Sequence, residues 1–215
     1  MKERIVITLP NSDLVTSYLT AFSKEIILFA EQKGMAVKTL EGAKANRDLF
    51  ENCVKKLNPT VIIFNGHGSD RCITGQKEEP LVVLGENHAI LLNKIIYARS
   101  CYAARGIGNA FVEQDEGCFI GYKLPFMFLS DIDWATNPLK DKMANKFLRT
   151  SNLVPQGILK GNSALEASEK CKKHILKIMK KALLKKDKDS EVIAETLWNN
   201  YQAQVVLGNK NIKLV

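Results

Sequence analysis

The first half of the chain alternates between short apolar runs and segments in which apolar side chains keep helical spacing. Residues 4–9 (RIVITL) are apolar and β-branched, which predicts a strand. Apolar residues then recur every three or four positions, which predicts a helix over residues 13–33 that begins at Ser12 or Asp13. The run TVIIF at residues 60–64 is apolar throughout, as is typical of a strand that is covered on both faces.

The remaining elements follow from the same two periodicities. Further strands are predicted at residues 36–40, 95–98, 117–122 and 205–208, with a hairpin of short strands at 71–74 and 81–84. Further helices are predicted at residues 43–57, 89–93, 103–112, 138–150, 163–186 and 190–202. Apolar strands that alternate with helices indicate a mostly parallel sheet between two helical layers. We therefore predict an α/β three-layer sandwich, a single domain over residues 1–215 whose C-terminal part is helical from about residue 138.

Composition narrows the class of protein. Of the 215 residues, 46% are hydrophobic and 25% are charged, which is ordinary for a globular protein. The apolar runs are far shorter than the ~20 residues of a membrane span, and the first residues lack the apolar core of a signal peptide. We therefore expect a cytoplasmic protein with no membrane partner. The five cysteines are scattered without a CxxC pair, which argues against a disulfide framework or a zinc finger and leaves room for a reactive thiol.

The positive charge is concentrated in one segment. The net charge is +8, and the segment from Lys170 to Lys188 holds nine lysines and one acid, so the rest of the chain is close to neutral. Apolar residues keep helical spacing among these lysines, which predicts an amphipathic helix. Its lysine face either is simply solvated or docks an acidic partner, and nucleic acid binding is expected only through this segment.

A histidine and a cysteine each follow a predicted buried strand. His67 comes shortly after the run TVIIF, and Cys101 comes shortly after the run IIYA. Because ligands bind beyond the carboxyl ends of parallel strands, both side chains are expected at the same edge of the sheet. There the imidazole could take the proton of the thiol and leave a nucleophilic thiolate, while the backbone N–H groups of Gly68 and Cys101 bind an oxyanion. Cys72, in the predicted hairpin, is the alternative nucleophile.

These features resemble the caspase-like superfamily of cysteine peptidases, which includes caspases, metacaspases, gingipains, clostripain, separase and bacterial CHAT domains. The shared order is an apolar strand with His-Gly, here VIIFNGHG, and later an apolar strand with Cys, here IIYARSC. The segments SCYAARGIGNAF, GCFIGY and WNNYQAQVVLGNKNIKL extend the likeness toward CHAT and gingipain-like domains. The chain departs from the caspase pattern at Tyr102 and Ala103, where caspases carry Arg or Gln and then Gly, and at Asn209, where Asp is usual.

The resemblance implies a cysteine endopeptidase that cleaves a protein or peptide with a dyad of His67 and Cys101 and needs no cofactor. It leaves calcium dependence open, because some members use calcium. It also implies a regulatory protein partner, so we expect the isolated chain to be nearly inactive. Two other classes stay open: an inactive caspase-like fold that serves as a protein-binding module, and a flavodoxin-like phosphate binder that uses residues 66–68. The second lacks the usual nucleotide-binding motifs.

Arg99 and Asp70 are the residues expected to contact the substrate. Arg99 lies two positions before Cys101, so on an extended chain both side chains point to the same side. In the resembling families that cleave after Arg or Lys, this position carries Asp and lines the substrate pocket. An Arg there predicts cleavage after acidic or polar residues, because two positive charges would repel each other. The alternative is that Arg99 forms an ion pair with Asp70 or Asp131.

Overall fold

The computed structural model describes residues 4–112 and 116–214. Its strands are β1 (Arg4–Leu9), β2 (Ala36–Glu41), β3 (Val61–Asn65), β4 (Cys72–Thr74), β5 (Pro80–Val83), β6 (Ile95–Arg99), β7 (Cys118–Tyr122) and β8 (Gln204–Gly208). Six of them form the central sheet in the order β2-β1-β3-β6-β7-β8, and β4 and β5 form a separate antiparallel hairpin. Within the central sheet, β8 runs antiparallel to β7, and the other neighbouring pairs are parallel.

Helices and the hairpin cover the two faces of this sheet. The α-helices are α1 (Leu14–Gln32), α2 (Arg47–Leu57), α3 (Lys142–Leu159), α4 (Ala164–Lys185) and α5 (Ser190–Ala203). Helices α1, α3, α4 and α5 pack on one face, where Ile7 and Tyr97 are buried. Helix α2 and the β4–β5 hairpin cover the other face, where the alternate residues Val6 and Ile96 are buried. The predicted α/β three-layer sandwich is confirmed.

Two predicted helices differ from the structure. The segment at residues 103–112 consists of turns and a short 3₁₀ segment, Ile107–Phe111, and the segment at residues 89–93 is the 3₁₀ segment His88–Leu91. Gly106 packs so closely on the loop after β3 that a Cβ there would lie 1.7 Å from the Asp70 carbonyl oxygen. This contact holds the chain in a turn where the apolar spacing alone favours a helix. Across the described residues, no helix combines the length and apolar character needed to cross a membrane.

Helix α3 continues beyond its predicted end at residue 150 to Leu159, although Pro155 lies inside it. A proline lacks the N–H group that would bond to the carbonyl of Ser151, four residues earlier. The hydroxyl group of Tyr97 on β6 donates to that carbonyl instead, at 2.9 Å. The sheet therefore supplies the hydrogen bond that the helix lacks, and α3 runs through the proline.

Arg99, the last residue of β6, is buried between the layers with 1% of its surface exposed. Its guanidinium donates hydrogen bonds to neutral oxygens of Asn65 on β3, Leu19 and Ser23 on α1, and Ser151 and Asn152 on α3. The distance from Nε to Asn65 Oδ1 is 2.9 Å, and that from Nη1 to Asn152 Oδ1 is also 2.9 Å. One side chain thus ties two central strands to two helices.

Replacing Arg99 by Met is expected to lower the free energy of unfolding by about 3 kcal/mol or more, because several buried oxygens lose their donor. Urea denaturation followed by circular dichroism measures the change. Arg105→Met is the matched control, since Arg105 is exposed, and it should change the free energy of unfolding by less than about 1 kcal/mol. Equal stability of the two variants would contradict the structural role of Arg99.

Candidate active site

His67 and Cys101 lie at the same edge of the sheet because of the register between β3 and β6. Asn65 on β3 pairs with Arg99 on β6, and the two strands are parallel. His67 comes two positions after Asn65, and Cys101 comes two positions after Arg99. His67 and Cys101 therefore follow the neighbouring carboxyl ends of β3 and β6. Open α/β sheets bind their ligands at this edge.

The loops that carry His67 and Cys101 pack against each other through their backbones. A Cβ on Gly68 would lie 2.8 Å from Ser100 Cβ and 3.1 Å from the carbonyl oxygen of Cys101. These distances leave no room for a side chain, so the approach of the two loops requires glycine at this position. The position of the imidazole loop relative to the thiol loop is thus set by backbone contact.

The imidazole of His67 is held by a carboxylate that follows β1. Its Nε2 lies 2.9 Å from Oδ2 of Asp13, and each of the two side chains is 37% exposed. The other oxygen, Oδ1, accepts the N–H of Thr16 at 2.8 Å and caps the first turn of α1. Partial burial alone would raise the pKa of Asp13, but hydrogen bonds from Thr16 and His67 outweigh it, and the pKa lies below its ordinary value. The carboxylate therefore orients the ring through Nε2.

The thiol of Cys101 is partly buried beside backbone N–H groups. Burial raises its pKa above the ordinary value of 9.0, while the N–H groups of Phe126 and of Cys101 itself act in the opposite direction. The next residue, Tyr102, has a φ of 60°, a left-handed conformation that costs a non-glycine residue about 1–3 kcal/mol. In this state the thiol is mainly protonated at neutral pH.

The backbone N–H of Gly68 takes no part in the hairpin pairing beside it. Gly68 forms an isolated antiparallel bridge with Ile73, and the hydrogen bonds of that bridge are donated by Ser69 and Thr74, at 2.9 and 3.0 Å. In a bridge of this kind the central residue directs its own N–H away from the partner strand. The role of the Gly68 and Cys101 N–H groups as oxyanion donors stays a prediction that this geometry permits.

The predicted substrate role of Arg99 is wrong. Its guanidinium is buried between α1 and α3 and bonded to neutral protein oxygens, so it does not line a pocket and forms no ion pair with Asp70 or Asp131. The alternation argument fails because β6 ends at Arg99, and Cys101 lies in the turn that follows. The expectation of cleavage after acidic residues rested on Arg99 and falls with it. Asp70 is exposed in the loop after His67, and its contact with a substrate stays a prediction.

Helix α5 holds the loop that brings Phe126 to the thiol. Asn199 Nδ2 donates to the carbonyl of Pro125 at 2.7 Å. Asn200 bonds to both backbone groups of Met127, since its Nδ2 donates to the carbonyl at 2.6 Å and its Oδ1 accepts the N–H at 2.9 Å. The backbone on both sides of Phe126 is therefore anchored to one helix.

Sequence reasoning missed Asp13 and Phe126 as members of the site. Asp13 was expected only to begin a helix, and it does cap α1. Its place after β1, which pairs with β3, is a signal that could have identified it, because the carboxyl ends of all three strands meet at one edge. Phe126 acts through its backbone N–H, and no side-chain motif marks such a group.

Comparison with models of known protein families gives no match, and comparison with curated proteins gives none either. Among the described residues, no group of three or more His, Cys, Asp or Glu side chains is arranged to hold a metal ion.

Alkylation of Cys101 by iodoacetamide should become faster with pH up to and beyond pH 9, because the thiolate reacts and burial raises the pKa of this thiol. Mass spectrometry of the modified peptide over time gives the rate, and Cys101→Ser identifies the signal. Cys72, which is also partly exposed, serves as an internal comparison. A rate that has already reached its plateau near pH 7 would contradict this description of a protonated thiol.

Proposed function

We propose that this protein is a caspase-like cysteine endopeptidase in which Cys101 is the nucleophile and His67 is the general acid and base. The observation that carries the proposal is the meeting of three chain segments at one sheet edge. Asp13 follows β1, His67 follows β3 and Cys101 follows β6, and these three strands are neighbours in the sheet. A carboxylate, an imidazole and a thiol in this order are the parts that acyl transfer needs.

The first half of the reaction forms an acyl-enzyme. The Cys101 thiol passes its proton to His67, and the sulfur attacks the carbonyl carbon of the scissile peptide bond. The carbonyl oxygen becomes an oxyanion, which the N–H groups of Gly68 and Cys101 stabilise. When the C–N bond breaks, His67 gives its proton to the leaving amine, and a thioester remains on Cys101.

The second half of the reaction releases the acyl group. His67 takes a proton from a water molecule, and the resulting hydroxide attacks the thioester carbonyl through a second oxyanion. Collapse of this intermediate breaks the C–S bond, gives a carboxylic acid and returns the proton to the Cys101 sulfur. Asp13 keeps the imidazole in one orientation and stabilises its cationic form through both halves.

The protonated, partly buried thiol is compatible with an enzyme that rests until it is activated, and also with an inactive fold. A raised pKa of Cys101 at rest means that little thiolate is present until substrate or a partner changes its surroundings. A regulatory protein partner is therefore part of the proposal, together with a cytoplasmic location and an isolated chain whose thiol reacts slowly but is not blocked.

An inactive fold that serves as a protein-binding module is the second candidate, and one observation favours it. The groups that lower the pKa of Cys101 are backbone N–H groups, whereas the Nε2 of His67 is bonded to Asp13. In this second candidate, the site keeps the arrangement of a peptidase active site but does not turn over a substrate. The two candidates differ in whether Cys101 reacts with a reagent that needs a catalytic histidine.

A peptide acyloxymethyl ketone, which alkylates the nucleophile of cysteine peptidases, is expected to label the whole chain once, at Cys101. Cys101→Ala and His67→Ala should each abolish labelling, because cooperating catalytic groups do not compensate for each other. Asp13→Asn should slow it about 10²-fold or more, because the imidazole loses its orienting charge. Intact-mass spectrometry over several hours measures the rates, with circular dichroism to verify folding.

Cys72→Ala is the matched control for this series and should label at the rate of the unmodified protein. Ready alkylation of Cys101 by iodoacetamide with no labelling by the ketone would identify the binding module instead. Labelling that survives His67→Ala would refute the dyad.

A further inference from the structure

An apolar groove with a basic rim runs between α4 and the sheet edge formed by β8. Its volume is about 630 Å³. The residues on which the argument depends are Leu165, Lys172, Lys173, Leu176, Tyr201 and Lys210, and we call this surface the β8 groove. It is separate from the dyad, which lies at the carboxyl ends of β3 and β6.

Within the described residues, strand β8 leaves one side of its backbone unpaired, and this side faces the β8 groove. It is the last strand in the order of the sheet, and β7 lies on its other side. The hydrogen bonds from Lys123 N–H to the Ala203 carbonyl and from Asn209 N–H to the Gly117 carbonyl are both 2.8 Å long. Each of these bonds joins two residues that are directly opposite each other in the antiparallel register. Hydrogen-bonded pairs alternate along such a ladder, so the odd-numbered residues of β8 bond to β7. The even-numbered residue Val206 therefore directs its N–H and C=O away from β7, toward the outside of the sheet. An outward row of this kind is a template for another extended chain.

Apolar side chains form much of the surface that such a chain would cover. Leu165 and Leu176 on α4 are 37% and 42% exposed. Tyr201 stacks on Trp198 with ring centroids 5.1 Å apart, and Trp198 is itself 43% exposed. Large apolar groups that stay exposed on one surface are typical of interaction sites.

Charge decides what kind of chain fits. The β8 groove is lined by three lysines, Lys172, Lys173 and Lys210, against one acid, Glu169. The ammonium group of Lys172 also lies over the Tyr201 ring, 5.0 Å from the ring centroid. This contact holds the ammonium group at the wall of the β8 groove. A second copy of this chain would bring the same lysines together, so the charges disfavour self-association and favour an acidic ligand.

We propose that the β8 groove binds an extended acidic segment of a partner protein, which adds to the sheet as a further strand beside β8. Its backbone pairs with Val206, its apolar side chains cover Leu165 and Leu176, and its carboxylates meet the lysines. This inference does not rest on the peptidase proposal, because none of its residues belongs to the dyad.

Fluorescence anisotropy of the labelled peptide EEVIVIVEE with the full chain tests the proposal, with KKVIVIVKK as the comparison peptide. The acidic peptide should bind, and the basic one should bind at least 10-fold more weakly. The double variant Lys173→Glu with Lys210→Glu should weaken binding of the acidic peptide at least 10-fold. Lys177→Glu with Lys181→Glu is the matched control on α4 outside the groove, and it should change the affinity less than 2-fold.

Val206→Pro tests the backbone part of the proposal. An outward N–H on an edge strand is a position where proline is tolerated, so the fold should persist while strand addition is blocked. Loss of binding in this variant, with unchanged circular dichroism, is the expected result. Failure of the acidic peptide to bind, equal losses in the two lysine pairs, or full binding by Val206→Pro would each overturn the proposal. A concentration-dependent dimer that Val206→Pro abolishes would overturn it in favour of self-association.

Discussion

A guanidinium buried at the end of a central strand must find oxygen acceptors in several directions, because an unpaired buried charge is very costly. Arg99 finds them on β3, α1 and α3, and of these elements β3 leads to His67 and α1 begins at the cap residue Asp13. Its bond to Asn65 joins the two residues that define the end of the β3–β6 ladder. His67 and Cys101 come two positions after the ends of these strands, so this buried contact and the backbone contact at Gly68 together fix their relative placement.

The candidate site is built from backbone as much as from side chains. The glycine at position 68 lets one loop lie directly on the other, and the loop after β7 presents an N–H group to the thiol. Asp13 shows how one residue can serve two purposes, since one carboxylate oxygen caps α1 and the other holds the imidazole of His67. The helix cap and the orientation of the imidazole therefore share one carboxylate.

Much of the fold could be predicted from the sequence, because buried parallel strands read as continuous apolar runs and each helix has clear apolar spacing. The placement of His67 and Cys101 at one edge follows from the same strands. The errors have physical causes that a single sequence does not display. Arg99 was assigned to a pocket because the alternation of side-chain directions along a strand was extended beyond the end of β6. Residues 103–112 were assigned to a helix, but a close backbone contact at Gly106 holds them in turns. Phe126 contributes a backbone group that depends on α5, far away in the sequence.

The contacts between α5 and the loop at Pro125 and Met127 join residues that are 74 and 73 positions apart. During synthesis at about 5–20 residues per second, roughly 4–15 s separate the emergence of the loop from that of Asn199 and Asn200. Throughout this interval a nascent chain already contains the thiol and the imidazole but lacks the helix that anchors the loop beside them. The order of synthesis thus delays completion of the site until α5 has left the ribosome, and a truncated product without α5 would carry an unfinished centre.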